Sequence, residues 1–215
     1  CTDTNNERTE LFICEGDSAG GGAKMARDKN YQAIFPIRGK ILNVWEVEQS
    51  SLFESETIEN IALVIGIQPH TMQDTVDFSK LRYGKIYIMT DADTDGNHIK
   101  GLIINLFHEL FPSLLKVKGF LGSPLTPIKS AKMLGKKDID FYTESEYKKW
   151  IVDTPNNNSY KIIYRKGLGS STKQEAKGYF KNLKLQEYTF DGDNDCINVG
   201  VPAWTYSTQF RTTMT

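Results

Sequence analysis

The stretch Ile86-Tyr87-Ile88-Met89-Thr90-Asp91-Ala92-Asp93-Thr94-Asp95-Gly96 decides the fold. A short apolar, β-prone run from Lys85 to Thr90 gives way at once to three carboxylates and a glycine. Downstream, Ile99, Leu102, Ile103, Leu106, Phe107 and Leu110 fall at i, i+3, i+4, i+7, i+8 and i+11. That spacing draws one apolar stripe along a helix beginning near Asn97, which Pro112 should end. A strand that passes through a polar turn into an amphipathic helix is the repeating unit of an α/β sheet. Such sheets carry their sites at the carboxyl ends of the strands, where the acidic turn falls.

A second strand end has the same character. Leu11-Phe12-Ile13-Cys14 runs into Glu15-Gly16-Asp17. If the two strands are neighbours, Glu15 and the Asp91, Asp93 and Asp95 cluster can share one divalent metal. Asp17 and Ser18 are read as helix caps, with a helix following at Ala23 to Arg27. The glycines from Gly16 to Gly22 do not form a phosphate loop, because Ala23 intervenes before Lys24 and no Ser or Thr follows the lysine.

Other segments are coarser. Phe35 to Val44 is read as a basic loop against the sheet, broken by Pro36 and Gly39. Thr143-Glu144-Ser145-Glu146 and Thr172-Lys173-Gln174-Glu175 both match the capping box, predicting helices near 145–151 and 173–183. Tyr160 to Arg165 alternates as a strand should, and periodicity fades after about Glu187. Trp45, Trp150 and Trp204 are read as packing residues.

Composition sets the bounds. The chain has 215 residues, 39% of them hydrophobic, and a mean hydropathy of -0.43, enough for one full core. No apolar run is long enough to span a bilayer and no signal-peptide pattern opens the chain, so an intracellular, unsecreted protein is expected. Cys1, Cys14 and Cys196 form no C-x-x-C pair, which supports neither a disulfide framework nor a zinc site. Cys14 is expected to be a small buried residue.

The net charge of -1 conceals segregation. Residues 44–79 hold seven acids and no Lys or Arg, whereas 116–137 hold six lysines and no acid, and 161–185 hold seven basic residues against Glu175 alone. Such segregation allows one basic face that a polyanion would feel, although on charge alone solvated surface lysine is the favoured reading.

Two other readings of the acidic turn were weighed. An EF-hand needs a bidentate Glu at its twelfth position, where counting from Asp91 gives Leu102, and it should be entered by a helix rather than a strand. A dehalogenase-type phosphatase places a nucleophilic Asp and an acid Asp at the positions of Asp91 and Asp93, but Asp95 stands where that pattern has Thr or Val.

Taken together, four segments resemble the TOPRIM domain of type II DNA topoisomerases. They are Glu15 to Gly21, Pro36 to Val44, Tyr83 to Lys100, and Lys166-Gly167-Leu168-Gly169, in the family's order. The first part of the chain looks closest to bacterial enzymes and the later part to eukaryotic, giant-virus or phage enzymes, a mixture that suggests a viral or phage source. The resemblance implies a Rossmann-like TOPRIM fold with a mostly parallel sheet flanked by helices. It divides the chain into a TOPRIM core over 9–128, a C-terminal part of that region over 129–185, and a divergent tail over 186–215.

The implied function is the Mg²⁺ half of a DNA cleavage and religation site in an ATP-dependent enzyme that changes DNA topology by double-strand passage. The implied catalytic and metal residues are Glu15, Asp91 and Asp93, with Asp95 supporting the metal. Glu15 could alternatively move a proton at the leaving 3′-oxygen. Arg38, Lys40, Asn43, His98 and Lys166 are the implied DNA contacts. The partners are double-stranded DNA and a dimeric assembly. An ATPase domain that binds the ATP and a winged-helix domain that bears the nucleophilic tyrosine are expected outside this chain, which therefore reads as a part of the enzyme, inactive by itself. Another phosphoryl-transfer enzyme and a non-catalytic, metal-stabilised DNA-binding module are the competing readings.

Overall fold

The structure, a computed structural model, describes residues 1–37, 43–44, 55–91, 94–125, 127–165, 177–178, 180, 183–190 and 210–214. Its framework is a six-stranded sheet in the order β2-β1-β3-β4-β8-β9. The strands are β1 (Glu10–Glu15), β2 (Gln32–Ile37), β3 (Lys85–Met89), β4 (Leu121–Leu125), β8 (Lys184–Phe190) and β9 (Phe210–Met214). The first four run parallel, and β8 and β9 join antiparallel at one end. The expected α/β class with a mostly parallel sheet flanked by helices is what the chain forms.

Strands buried on both faces read as unbroken apolar runs, and β1 and β3 do so because helices cover the sheet on both sides. On one face, Leu11, Ile13, Ile86 and Ile88 pack under α2 (Glu56–Ile65), α3 (Thr94–Leu110) and α4 (Pro112–Leu115). On the other, Phe12, Cys14, Tyr87 and Met89 meet Ala23 and Ala26 of α1 (Gly16–Ala26), together with Phe180. Phe12 sits 5.2 Å from the Tyr87 ring and 5.0 Å from the Phe180 ring, in the tilted geometry aromatic rings favour.

A second, three-stranded antiparallel sheet, in the order β6-β5-β7, is built from β5 (Lys129–Lys132), β6 (Ile139–Phe141) and β7 (Lys161–Tyr164). Helix α5 (Glu144–Asp153) opens with the expected capping box: Thr143 accepts from the Glu146 amide, and the Glu146 side chain reaches back to the Thr143 N–H. Trp150 of this helix packs on Phe141, Tyr147 and Tyr160, as a packing residue should.

Several sequence expectations shift. Helix α1 begins at Gly16 with Glu15 as its N-cap, so Asp17 and Ser18 lie inside the helix rather than capping it. Gly16, at φ 67°, makes the sharp turn that starts the helix three positions sooner than the polar pair suggests. Phe35, Pro36 and Ile37 belong to β2 rather than to a loop, because an edge strand tolerates a proline that lacks the ladder N–H. Pro112 does end α3, yet also starts α4 at a position where its missing N–H is harmless.

Helix α2 was not anticipated, and the chain after Glu187 does not lose structure at once: β8 continues to Phe190 and pairs with β9. Of the helix expected near 173–183, Lys177, Gly178 and Phe180 are helical; the second capping box, Trp45 and Trp204 lie outside the described residues.

Phe107 is fully buried at the centre of the larger cluster, whereas Leu63 on the outer face of α2 is 67% exposed. Phe107→Ala should therefore cost about 3–5 kcal/mol in urea unfolding, and Leu63→Ala within about 0.5 kcal/mol. Equal costs would contradict the assignment of this face as the core.

Candidate functional site

The site is built on the pairing of β1 with β3. Their last registered pair is Cys14 with Met89, so Glu15 lies one residue beyond it and Asp91 two. Neighbouring strands are about 4.8 Å apart, and parallel strands end on the same edge, so the two acidic residues emerge side by side. Glu15 is exposed and Asp91 half-buried.

The turn after Asp91 is tight. A Cβ built on Gly96 would lie 2.1 Å from the Asp91 carbonyl oxygen and 3.0 Å from its nitrogen. The first turn of α3 thus closes directly onto the Asp91 backbone, and only glycine allows it. Asp95 and His98, one turn apart at the start of α3, are exposed. Asp95 is also favoured there by the positive end of the helix dipole.

The other predicted residues divide by position. Glu15 pairs with Ile37, the last residue of β2 and the one that precedes Arg38 in sequence. Arg38, Lys40, Asp93 and Lys166 themselves lie outside the described residues, while Asn43 is half-buried and described. Among the described residues no group of three or more His, Cys, Asp or Glu side chains is gathered to hold a metal.

The donors that are in place still suit a hard cation. Mg²⁺ takes one or two carboxylates and keeps several waters, which is what Glu15 and Asp91 at a solvent-facing edge can offer. The soft thiol nearby is withdrawn from the site. Cys14 is buried between Phe12 and Met89, and burial pushes its thiol up to about 12. A thiol that stays protonated at neutral pH is no metal ligand.

Sequence reasoning missed the anchor of the Lys166 segment. Arg165 Nε donates to Ser130 Oγ at 3.2 Å, and Ser130 Oγ donates to Asp140 Oδ1 at 2.6 Å. The Arg165 amide also donates to the Ile128 carbonyl at 2.9 Å. This relay ties Arg165 to the β5–β6 hairpin and to Ile128, three residues past the end of β4. The signal in sequence would have been the hairpin register that sets Ser130 opposite Asp140.

Comparison with known proteins shows the family. Residues 10–120 match the Toprim domain, and residues 124–200 match the C-terminal associated domain of TOPRIM. The chain is 42% identical over 199 residues to mouse DNA topoisomerase 2-alpha, covering 89% of this chain and 13% of that protein. It is 42% identical over 191 residues to Arabidopsis thaliana DNA topoisomerase 2, covering 86% of this chain and 13% of the relative.

Among solved structures, the DNA-binding, cleavage and re-ligation domain of Plasmodium falciparum topoisomerase II superposes with a TM-score of 0.77 at 37% identity. That match covers 89% of this chain and 26% of the other. The chain spans about an eighth of the length of the curated relatives it matches.

Two outcomes test the local geometry. Gly96→Ala would gain about 1 kcal/mol of helix propensity, but the clash with the Asp91 backbone costs more, about 1–3 kcal/mol or above, so thermal unfolding should show net destabilisation. Cys14 should stay unmodified by a thiol reagent at pH 8 in the folded chain and react once urea is added, with Cys1 as the exposed control, read by peptide mass spectrometry.

Proposed function

The chain belongs to the TOPRIM family, and on that premise we propose that it forms the Mg²⁺-binding part of the DNA cleavage and religation site of a type II topoisomerase. The observation that carries the proposal is the emergence of Glu15 and Asp91 from neighbouring parallel strands at one edge. Glu15, Asp91 and Asp93 would hold the cation, and Asp95 would add negative charge beside them. When bound, Mg²⁺ supplies Lewis-acid stabilisation of the attacked phosphate and of the leaving 3′-oxygen.

The chain's own residues then bind and orient. Arg38 and Lys166 grip backbone phosphates, Arg through paired hydrogen bonds, while Lys40 adds a point charge. Asn43 can hydrogen-bond to sugar or base, and His98 can meet a phosphate from the first turn of α3. Glu15 can hold a proton for the leaving oxygen if it is not fully engaged with the cation. The substrate is double-stranded DNA, and the assembly is dimeric. The attacking tyrosine and the ATP-hydrolysing domain come from other segments or subunits, and the site works inside the cell on DNA. No helix among the described residues is long and apolar enough to cross a membrane.

With the tyrosine-bearing and ATPase parts supplied, the chain should support Mg²⁺-dependent DNA cleavage. Glu15→Gln or Asp91→Asn should lower cleavage on the order of 100-fold or more, with folding intact by circular dichroism. Unchanged cleavage in either variant would remove that residue from the site.

A further inference from the structure

The strand that delivers Asp91 also carries a polar group with no described role. Thr90 Oγ1 is buried and has no hydrogen-bond partner among the described residues. Folded proteins rarely leave a buried hydroxyl unpaired, because the group loses its water without compensation. Packing does not explain the choice of residue, since Val has the same branched shape without that penalty.

Its position points to the missing partner. Ile86 and Ile88 pack on the face covered by α2 and α3, and Thr90 is the first residue past the end of β3. Leu11 and Ile13 do the same on β1, with Glu15 next in line. One step past the last registered pair, Cys14 with Met89, Thr90 comes level with Glu15 and immediately precedes Asp91. The unpaired hydroxyl thus belongs to the residue that joins β3 to Asp91, level with Glu15 at the same sheet edge.

We propose that Thr90 is a positioning residue of this site, its hydroxyl hydrogen-bonding a water in the hydration shell of the divalent cation held by Glu15 and Asp91. This rests on the Mg²⁺ reading above. A hydroxyl suits the place, because it can accept from a coordinated water and donate to a carboxylate at once. Mg²⁺ dehydrates reluctantly and keeps waters that need such outer partners. Thr90 is not itself a ligand and acts through the water and the carboxylates.

The test is Mg²⁺ binding to the chain, measured by calorimetry and by the metal-induced rise in unfolding temperature, for the parent, Thr90→Val and Thr90→Ser. The expected result is a Kd for Mg²⁺ raised about 10–100-fold in Thr90→Val and close to the parent value in Thr90→Ser. Without metal, Thr90→Val should unfold at or above the parent temperature, because it loses an unpaired hydroxyl and keeps its shape. If Thr90→Val instead fails to fold, Thr90→Ala read against Thr90→Ser makes the same comparison. Parent-like Mg²⁺ affinity in the Val or Ala variant would overturn the proposal while leaving the metal site standing. A parent chain that binds no Mg²⁺ would overturn the metal reading, and this inference with it.

Discussion

Everything in the site depends on the register between β1 and β3. The side-chain period of a strand is two residues, so a slip of one would exchange the sets that face α2 and α3 for those that face α1. Both faces are apolar and filled, by Ile13, Ile88 and Phe107 on one side and by Phe12, Tyr87 and Phe180 on the other. The large and small residues of the two clusters are not interchangeable, so burial on both sides pins the alignment. The placement of Glu15 beside Thr90 and Asp91 is thus a product of core packing, decided by residues that never touch the site.

The parts of the fold that were legible in the sequence are those specified locally. The stripe from Ile99 to Leu110 needs only helical period, and the Thr143 to Glu146 capping box needs only four adjacent residues. Helix α2 carries the same kind of signal in Ile58, Ile61, Ala62 and Ile65, but it spans only 10 residues and its first turn is acidic, so the stripe is short against its charged surroundings. Strand β2 was concealed by Pro36, whose acceptability depends on lying at the sheet edge, a fact of topology that no local pattern contains. The β8 to β9 pairing is likewise non-local, joining Phe190 to Phe210 across a long separation in the chain.

The candidate site follows the same division. Acids at the ends of two apolar runs mark Glu15 and Asp91 from sequence, because α/β sheets concentrate chemistry there. The Arg165, Ser130 and Asp140 relay and the unpaired Thr90 hydroxyl are properties of three-dimensional neighbourhood. Ser130 and Thr90 look like ordinary strand residues until the register shows what stands opposite them. Cys14 is the reverse case: its apolar surroundings in sequence already indicate a small buried residue, and that burial is what raises its pKa.

The close seat of Gly96 on Asp91 has a mechanical consequence. Helix α3 has 17 residues and is a rod about 25 Å long, with one end resting on Asp91 of the candidate site and the other against α4 on the same face of the sheet. A tilt of about 5° around its midpoint would move each tip by roughly 1 Å, the scale on which misplacement of catalytic groups becomes costly. Because no side chain cushions the joint between rod and loop, force applied at exposed Glu109, near the other tip, would be carried along the rod to Asp91. A neighbouring domain leaning on that remote surface could throttle the chemistry without coming near it.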